Sequence, residues 1–386
     1  MNVNASRGNN KPAKVWILQP EINHYGVAVW DEIINLGGAD GAYTLKVNGT
    51  LSNGGAFGGG ERDYFVDCPL ENFKRFGIGL SRWPTVVQLF KADKPDVLVM
   101  YANPRNIDCW RIPKLCRQLG IPVIMWSKVH SYSRFAAVMK YFKPHFFSRF
   151  DYAVCYGESS REELLTYRFP ADRIYVANNT IDTRRIFSDG ARIIERGKVL
   201  RHQAGLDGKK VLLCIGRMDP EKRHMDLLKA WPQISALDKD FVLVIVSGGP
   251  LLQTIREKAK EIDAERIIVT GRVPEGDDYA WISTCDIGIY PGAVGLAINI
   301  SLAFAKPTII ADEYGADSEI LLEGVTGWRF KRGDLADMSR VVGDVLRSPE
   351  KAARICENAR VLMRDKITID NMARNVDKAI RAALIS

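Results

Sequence analysis

The sequence predicts an α/β protein built from two Rossmann-like, doubly wound domains that face each other across a cleft. Three observations predict it. Apolar β-type runs alternate with amphipathic segments from end to end, the pattern of parallel strands covered by helices on both faces. The pattern breaks once, at a polar, mixed-charge stretch from about Asp182 to Lys209, and then restarts. A chain of 386 residues is also too long for one comfortable core and suits two domains of ordinary size. In such folds ligands bind beyond the carboxyl ends of the strands, so a cleft between the two sheets is the expected site.

In the first half, KVWILQP reads as a strand and VAVWDEIINLG as the helix after it. The stretch NGGAFGGGE, residues 53–61, is too rich in glycine for regular structure and reads as a loop. DVLVMYA and PVIMWS are buried strands with the helix CWRIPKLCRQLG between them, and DYAVCYG, ESSREELLTYR and RIYVANN repeat the unit. In the second half KKVLLCIG, FVLVIVSG and RIIVTG are strands alternating with the helices HMDLLKAWPQI and LLQTIREKAKEI. DIGIYPG, PTIIADE and GWRFKR continue that sheet, and from Leu335 onward the chain is mainly helical. The expected division is an N-terminal domain over 1–200 and a C-terminal domain over 201–367. A last helix, 368–386, is expected to pack back on the first domain.

Composition excludes several classes. Hydrophobic residues make up 46% and charged residues 26%, as in soluble globular proteins. No apolar run reaches the roughly 18 residues of a membrane span, and MNVNASRGNNKPAK lacks the apolar stretch of a signal peptide. The seven Cys are odd in number, scattered and without a CxxC pair, so neither a disulfide framework nor a zinc site is indicated. A reducing cytoplasm is the expected location. The net charge of +8 is spread along the chain with no nucleic-acid motif; it suits an anionic small substrate rather than DNA or RNA. MKYFKPHFFSRF, residues 139–150, interleaves basic and aromatic residues. One reading is peripheral contact with an anionic membrane. The other is a helix whose aromatics pack on the first sheet while its Lys and Arg face water, and Pro144 favours it.

The most informative chemistry is IGRMDPEKR, Ile215 to Arg223. A buried strand ends at Gly216, and Arg217 and Lys222 flank a short turn at its carboxyl end. A planar guanidinium and a point-charge ammonium placed there can embrace a diphosphate. A surface turn with a local ion pair to Asp219 or Glu221 has the same sequence. The DKD triplet at Asp238–Asp240 precedes the strand FVLVIVSG, so it lies on the wrong edge of the sheet for a metal site. No metal and no cofactor are expected.

IGRMDPEK resembles the GR-x(4)-K signature of the retaining glycosyltransferases of family 4, which have the GT-B fold. The likeness continues in VIVSGGP (Gly248, Gly249, Pro250), in IIVTGRV (Gly271, Arg272, Val273) and in ANNTIDT, similar to the family's inter-domain N-G-V-D element. YPGAVGL, Tyr290 to Leu296, resembles a PGxVGL variant of one branch. The resemblance implies a GT-B enzyme that transfers a sugar from a UDP- or GDP-sugar to a glycan or other hydroxyl acceptor, with retention and without a metal. It implies that Arg217 and Lys222 hold the diphosphate and stabilise the charge growing on it. Gly216, Gly248, Gly249, Arg272 and Val273 would frame the nucleotide. Gly26, in NHYGVAVWDE, would offer its N–H to the same anion from a helix N-terminus.

The sequence departs from the family at the donor sugar. Relatives carry two Glu separated by seven residues, and those positions here are Gly292 and Ile300. The expected substitutes are backbone N–H groups of Pro291–Leu296 (Pro291 itself lacking one), meaning Gly292, Ala293, Val294, Gly295 and Leu296, with the side chains of Asn299, Glu313 and Glu319. Where the family places a His after the strand PVIMWS, this chain has Lys128, and His130 lies two residues on; either is the implied group near the anomeric carbon. Asn103 and Arg105, following DVLVMYA, are candidate acceptor contacts. Two rival readings keep the architecture: a catalytically degenerate glycan-binding or scaffolding protein, which the missing Glu pair favours, and a sugar-nucleotide epimerase.

Overall fold

The computed structural model describes residues 11–51, 62–75, 77–129, 136–312 and 316–386. The expected loop 53–61 and the candidates His130 and Glu313 lie outside these residues. The chain forms two compact units, Met1–Ile181 with Ile369–Ser386, and Asp182–Thr368.

The first unit opens with β1 (Ala13–Ile22), α1 (Val27–Ala39), β2 (Tyr43–Leu51) and β3 (Phe65–Asp67). An antiparallel hairpin, β4 (Glu71–Arg75) with β5 (Ile78–Arg82), and α2 (Val86–Ala92) lead to β6 (Val97–Met100). Then follow α3 (Asp108–Gln118), β7 (Val123–Ser127), α4 (Ala136–Phe147), β8 (Tyr152–Cys155), α5 (Glu158–Thr166) and β9 (Ile174–Val176). The sheet runs β3-β2-β1-β6-β7-β8-β9 and is parallel throughout. β1 can sit inside it because both its faces are apolar: Val15 and Ile17 are buried on one side, Trp16 and Leu18 on the other. The strand order reverses between β1 and β6, which places the residues after these strands at the switch point.

The second unit begins with α6 (Arg184–Gln203), followed by β10 (Lys210–Ile215), α7 (His224–Ser235), β11 (Phe241–Val246), α8 (Leu252–Asp263) and β12 (Ile267–Gly271). Next come α9 (Asp277–Thr284), β13 (Ile287–Tyr290), α10 (Ala297–Ala303), β14 (Thr308–Ala311), α11 (Ala316–Glu319) and β15 (Trp328–Phe330), then α12 (Leu335–Arg347) and α13 (Pro349–Asp365). Its parallel sheet runs β12-β11-β10-β13-β14-β15, with the reversal between β10 and β13.

The division falls at Ile181/Asp182 rather than near residue 200. The polar stretch after Asp182 is an amphipathic helix whose narrow buried stripe, Ile186, Ile193 and Gly197, is easily overlooked among its charges. Gly197 meets α9 so closely that a Cβ there would lie 2.4 Å from the Ala280 carbonyl oxygen. The Arg196 guanidinium grips both Asp277 oxygens at 2.8 Å. These contacts assign α6 to the second unit.

The final helix, α14 (Ile369–Leu384), completes the first unit. Ile369, Met372, Ala373, Val376, Ala379, Ile380 and Ala383 enter the same core as α1 and β1. Arg381 lies over the Tyr43 ring and donates to Asp40 Oδ2 at 2.7 Å and to the Leu36 carbonyl at 3.1 Å. Asp377 accepts from the Tyr43 hydroxyl at 2.8 Å.

The basic-aromatic segment divides. Phe146, Phe147 and Phe150 are buried, and Phe147 stacks on Tyr167 at 5.8 Å. Lys143 was expected to face water; instead it is buried and donates to Glu163 at 2.7 Å. Tyr141 and Phe142 are exposed. Among the described residues no helix is long and apolar enough to cross a membrane.

Candidate functional site

The reversal between β10 and β13 brings two loops together at the carboxyl edge of the second sheet. The first, Gly216 to Arg223, leaves β10 through Gly216 at φ +147° and enters α7 through Arg223 at φ +55°. An L side chain at either point is strained, and only the first position is glycine. Met218 anchors the middle of the loop: it is fully buried, its N–H donates to the Gly248 carbonyl at 2.9 Å, and its carbonyl accepts from Leu251 N–H at 3.1 Å. Arg217 on one side of it is exposed, with its guanidinium 3.1 Å from Asp219. Lys222 on the other side is half-buried, its stem crossing Gly216, where a Cβ would lie 3.8 Å from Lys222 Cε.

The second loop, Pro291 to Leu296, follows β13. Lys222 Nζ donates to the Ala293 carbonyl at 2.6 Å, and Ala293 N–H donates to the Glu221 carbonyl at 2.9 Å. Gly292 is packed so tightly that a Cβ would lie 2.2 Å from the Glu221 carbonyl oxygen and 2.7 Å from Lys222 C. A Cβ at Gly295 would lie 3.1 Å from Lys222 Nζ. The glycine at 292 is therefore required by the approach of the cationic turn. Two expectations change: the Ala293 N–H is already committed, and no side chain of any kind, Glu included, fits at position 292 without moving Lys222. Pro291 and Val294 are buried, while Gly295 and Leu296 are partly open.

β11 and β12 add the next segments of the edge. Gly249, at φ +152°, lies against Met218, where a Cβ would come within 2.6 Å of its backbone nitrogen. Ser247 holds φ +126° without being glycine, its N–H donating to the Gly271 carbonyl at 3.0 Å. Strain at non-glycine residues, here Ser247 and Arg223, tends to collect at functional sites. Arg272 is exposed beside Gly248, and Val273 is half-buried after it. Asn299 is 2% exposed within α10, so it is not presented at the mouth of the loop as expected. Glu319 ends α11, partly buried.

Sequence reasoning missed His224, the first residue of α7, which is 2% exposed. Its Nδ1 is buried without a hydrogen-bond partner. Burial first, and the neighbouring Lys222 ammonium second, lower its pKa to about 4, so the imidazole is neutral at pH 7. The available signal was a histidine directly behind the paired cations at a strand-to-helix turn. The DKD carboxylates sit at the opposite edge of the sheet, where Asp238 pairs with Lys210 at 2.6 Å and Asp240 with Lys209 at 3.1 Å.

In the first unit Gly26 does not have a free N–H for an anion: it donates to the Asn23 carbonyl at 3.0 Å. Glycine is needed there because a Cβ would lie 2.7 Å from the Trp30 ring. After β6, Asn103 Oδ1 caps the Arg105 N–H at 3.0 Å, and Arg105 is exposed. Lys128 is exposed after β7, whose Ser127 hydroxyl donates to the Ala102 carbonyl at 2.8 Å. The ends of β6 and β7 thus hold Asn103, Arg105 and Lys128 on one edge.

Two family models match, one on each half: "Glycosyl transferases group 1" over residues 198–362 and "Glycosyltransferase Family 4" over residues 50–185. The chain is 29% identical over 165 residues to the GDP-mannose-dependent alpha-(1-6)-phosphatidylinositol monomannoside mannosyltransferase of Mycolicibacterium smegmatis, covering 40% of this chain and 43% of that protein. It is 27% identical over 198 residues to the lipopolysaccharide 1,2-N-acetylglucosaminetransferase of Salmonella typhimurium, covering 47% and 51%. The matches therefore span about half the length of these curated relatives. The crystal structure of Anabaena HepE in complex with UDP is similar with a TM-score of 0.71 at 14% identity, over 96% of this chain and 100% of that one. The fold, two Rossmann-like α/β domains with parallel sheets, is GT-B.

Proposed function

We propose that this chain, a glycosyltransferase by the models that match its two halves, transfers a sugar from a UDP- or GDP-sugar to a hydroxyl of a glycan or glycolipid acceptor, with retention and without a metal. The observation that carries the reading is the pairing of Arg217 and Lys222 on one turn at the switch point of the second sheet. Diphosphate oxygens placed there meet two cations, one exposed beside Asp219, the other held by a backbone carbonyl. Relatives named for GDP-mannose and a structural neighbour crystallised with UDP support a nucleoside-diphosphate donor.

In the transfer, the bond from the anomeric carbon to the diphosphate oxygen breaks as the acceptor oxygen approaches from the same face. The acceptor proton passes to the leaving phosphate oxygen, and negative charge grows on the diphosphate. Arg217 and Lys222 stabilise that charge, an electrostatic contribution of about 3–4 kcal/mol for each such group. Double displacement needs a carboxylate nucleophile at the anomeric carbon, and positions 292 and 300 are Gly and Ile. Contact with a membrane surface belongs to the same proposal: Tyr141 and Phe142 are exposed on α4.

The test is a panel of UDP- and GDP-sugars, followed for slow hydrolysis and for transfer, with products weighed by mass spectrometry with and without acceptor. Release of sugar from one donor supports transfer. Tight nucleotide binding without turnover on any donor supports the degenerate binding protein, which the absent carboxylates favour, and acceptor-independent isomerisation supports an epimerase.

A further inference from the structure

We propose that Arg223 is a positioning residue for the diphosphate turn: its guanidinium, clasped by Asp226 and laid against Gly333, fixes the left-handed backbone that follows Lys222 and so the place from which the ammonium is delivered. The proposal rests on the reading of Arg217 and Lys222 given above.

Arg223 sits at φ +55° and ψ +34°, a region where L side chains are strained and glycine is not. For the backbone alone, glycine is the better residue at 223. What arginine adds is its side chain, and strained conformations persist only where surrounding contacts over-determine them. On one side Nε donates to Asp226 Oδ2 at 2.6 Å, and Nη2 pairs with the same oxygen. On the other side Nη2 lies 3.0 Å from the Cβ position of Gly333, in the loop between β15 and α12. That loop is itself fixed. Asp334 caps α12 by accepting the Asp337 N–H at 3.0 Å, and the Lys331 N–H donates to Asp337 Oδ2 at 2.7 Å. α7 and α12 share one core through Leu227, Leu228, Met338 and Val341, so both supports of the guanidinium are anchored in the same packing.

Backbone hydrogen bonds pass this constraint to Lys222. The Lys222 N–H donates to the Asp219 carbonyl at 3.1 Å, the Arg223 N–H to the Pro220 carbonyl at 3.2 Å, and the Arg223 carbonyl accepts the Asp226 N–H at 2.9 Å. Arg223 therefore joins the turn to α7, one peptide from the ammonium-bearing residue. Without the clasp, a residue with a side chain relaxes toward the right-handed region and carries the Lys222 backbone with it. A glycine samples both regions, and an anion must then order the turn as it binds. Asp226 balances the guanidinium charge, which fits a strut and not a third phosphate ligand.

The experiment compares Arg223→Gly, Arg223→Ala and Asp226→Ala in the full-length chain, reading UDP and GDP affinity and stoichiometry by calorimetry beside thermal melts. Arg223→Gly is expected to bind about tenfold more weakly at full stoichiometry. Its melting temperature stays near wild type, because relief of strain offsets the lost ion pair. Arg223→Ala keeps the strain without the clasp, so it binds no better and melts lower. Asp226→Ala leaves the guanidinium in place with its charge unbalanced: positioning predicts weaker binding, whereas direct attraction of the phosphates predicts tighter binding. Wild-type affinity in Arg223→Gly, including the case in which only stoichiometry and melting temperature fall, overturns the proposal. So does wild-type or tighter binding in Asp226→Ala, which decides the matter if the Arg223 variants do not fold. Arg217→Ala run in parallel separates the two claims. Loss of nucleotide there with normal binding in Arg223→Gly removes only the role of Arg223, whereas normal binding in Arg217→Ala removes the diphosphate reading itself.

Discussion

The Lys222 ammonium and the Ala293 carbonyl meet at 2.6 Å, and the Ala293 N–H returns a hydrogen bond to the Glu221 carbonyl at 2.9 Å. This reciprocal pair joins the turn after β10 to the loop after β13 across the point where strand order reverses. The ammonium is held by a backbone dipole, so its orientation is fixed without a carboxylate in this contact. Arg217 differs: it is an exposed side chain beside Asp219, and such surface pairs contribute little to stability.

That difference separates two substitutions which act on the same anion. Arg217→Ala and Lys222→Ala are each expected to lower turnover by about two to three orders of magnitude. Only Lys222→Ala also loosens the 291–296 loop, so it alone is expected to lower the melting temperature of the free protein. Sugar-release assays beside thermal melts check both halves. Unchanged turnover in both variants would falsify the phosphate assignment.

Gly292→Ala probes the other side of the staple. The added methyl carbon would lie 2.2 Å from the Glu221 carbonyl oxygen, a backbone atom that cannot rotate away. The cationic turn must shift, and overpacking of this kind costs about 1–3 kcal/mol. Donor affinity is expected to fall at least tenfold while circular dichroism stays native. Gly295→Ala, which meets only the flexible end of Lys222, is expected to be milder. Equal donor affinity in Gly292→Ala and wild type, by calorimetry, would show that the loop tolerates the displacement.

The parallel architecture was legible because β1, β6, β10 and β11 are continuous apolar runs bounded by turns, and such runs fit only the interior of a covered sheet. The cationic turn was legible because Arg217 and Lys222 are close in sequence. Other features were not. The buried stripe of α6 is too sparse to stand out from its charges, and the hairpin of β4 and β5 alternates weakly, with Phe73 and Leu80 only half-buried. Gly292 and Gly26 were read as backbone donors to a ligand, yet each makes room for another part of the protein: the Glu221–Lys222 backbone in one case and the Trp30 ring in the other. A glycine shows that space is short, not what occupies it.

The C-terminal helix supplies a prediction about folding. Removing residues 369–386 strips Ile369, Met372, Val376 and Ile380 from the core of the first unit, each worth about 1.5–3 kcal/mol of burial. It also leaves Tyr43 without Asp377 and Arg381. Together the four side chains amount to about 6–12 kcal/mol, as much as the whole stability of an ordinary domain. A chain ending at Thr368 is expected to lose the cooperative melting of the first unit and to aggregate, and hydrogen exchange on β1 and β2 reads this directly. Native protection of those strands in the shortened chain would show that α14 is dispensable.

His224 makes stability depend on pH in a defined direction. Its folded pKa is about 4 against an ordinary value of 6.5, lowered first by burial and then by Lys222, while Asp219 opposes the shift. Between these values the unfolded chain binds a proton that the folded chain refuses, so stability falls as pH drops through 6.5 and levels off below about 4. A shift of this size corresponds to about 3 kcal/mol in full, of which about 2 kcal/mol is already lost at pH 5. His224→Gln carries no titrating group and removes this component while leaving the carboxylates of the protein untouched. The expected outcome is that the stability difference between the two proteins, from chemical denaturation at pH 7.5 and pH 5, changes by about 2 kcal/mol in favour of the variant at the lower pH. A constant difference across that range would mean that the folded imidazole takes up its proton as readily as the unfolded one, and the lowered pKa of the buried ring would have to be abandoned.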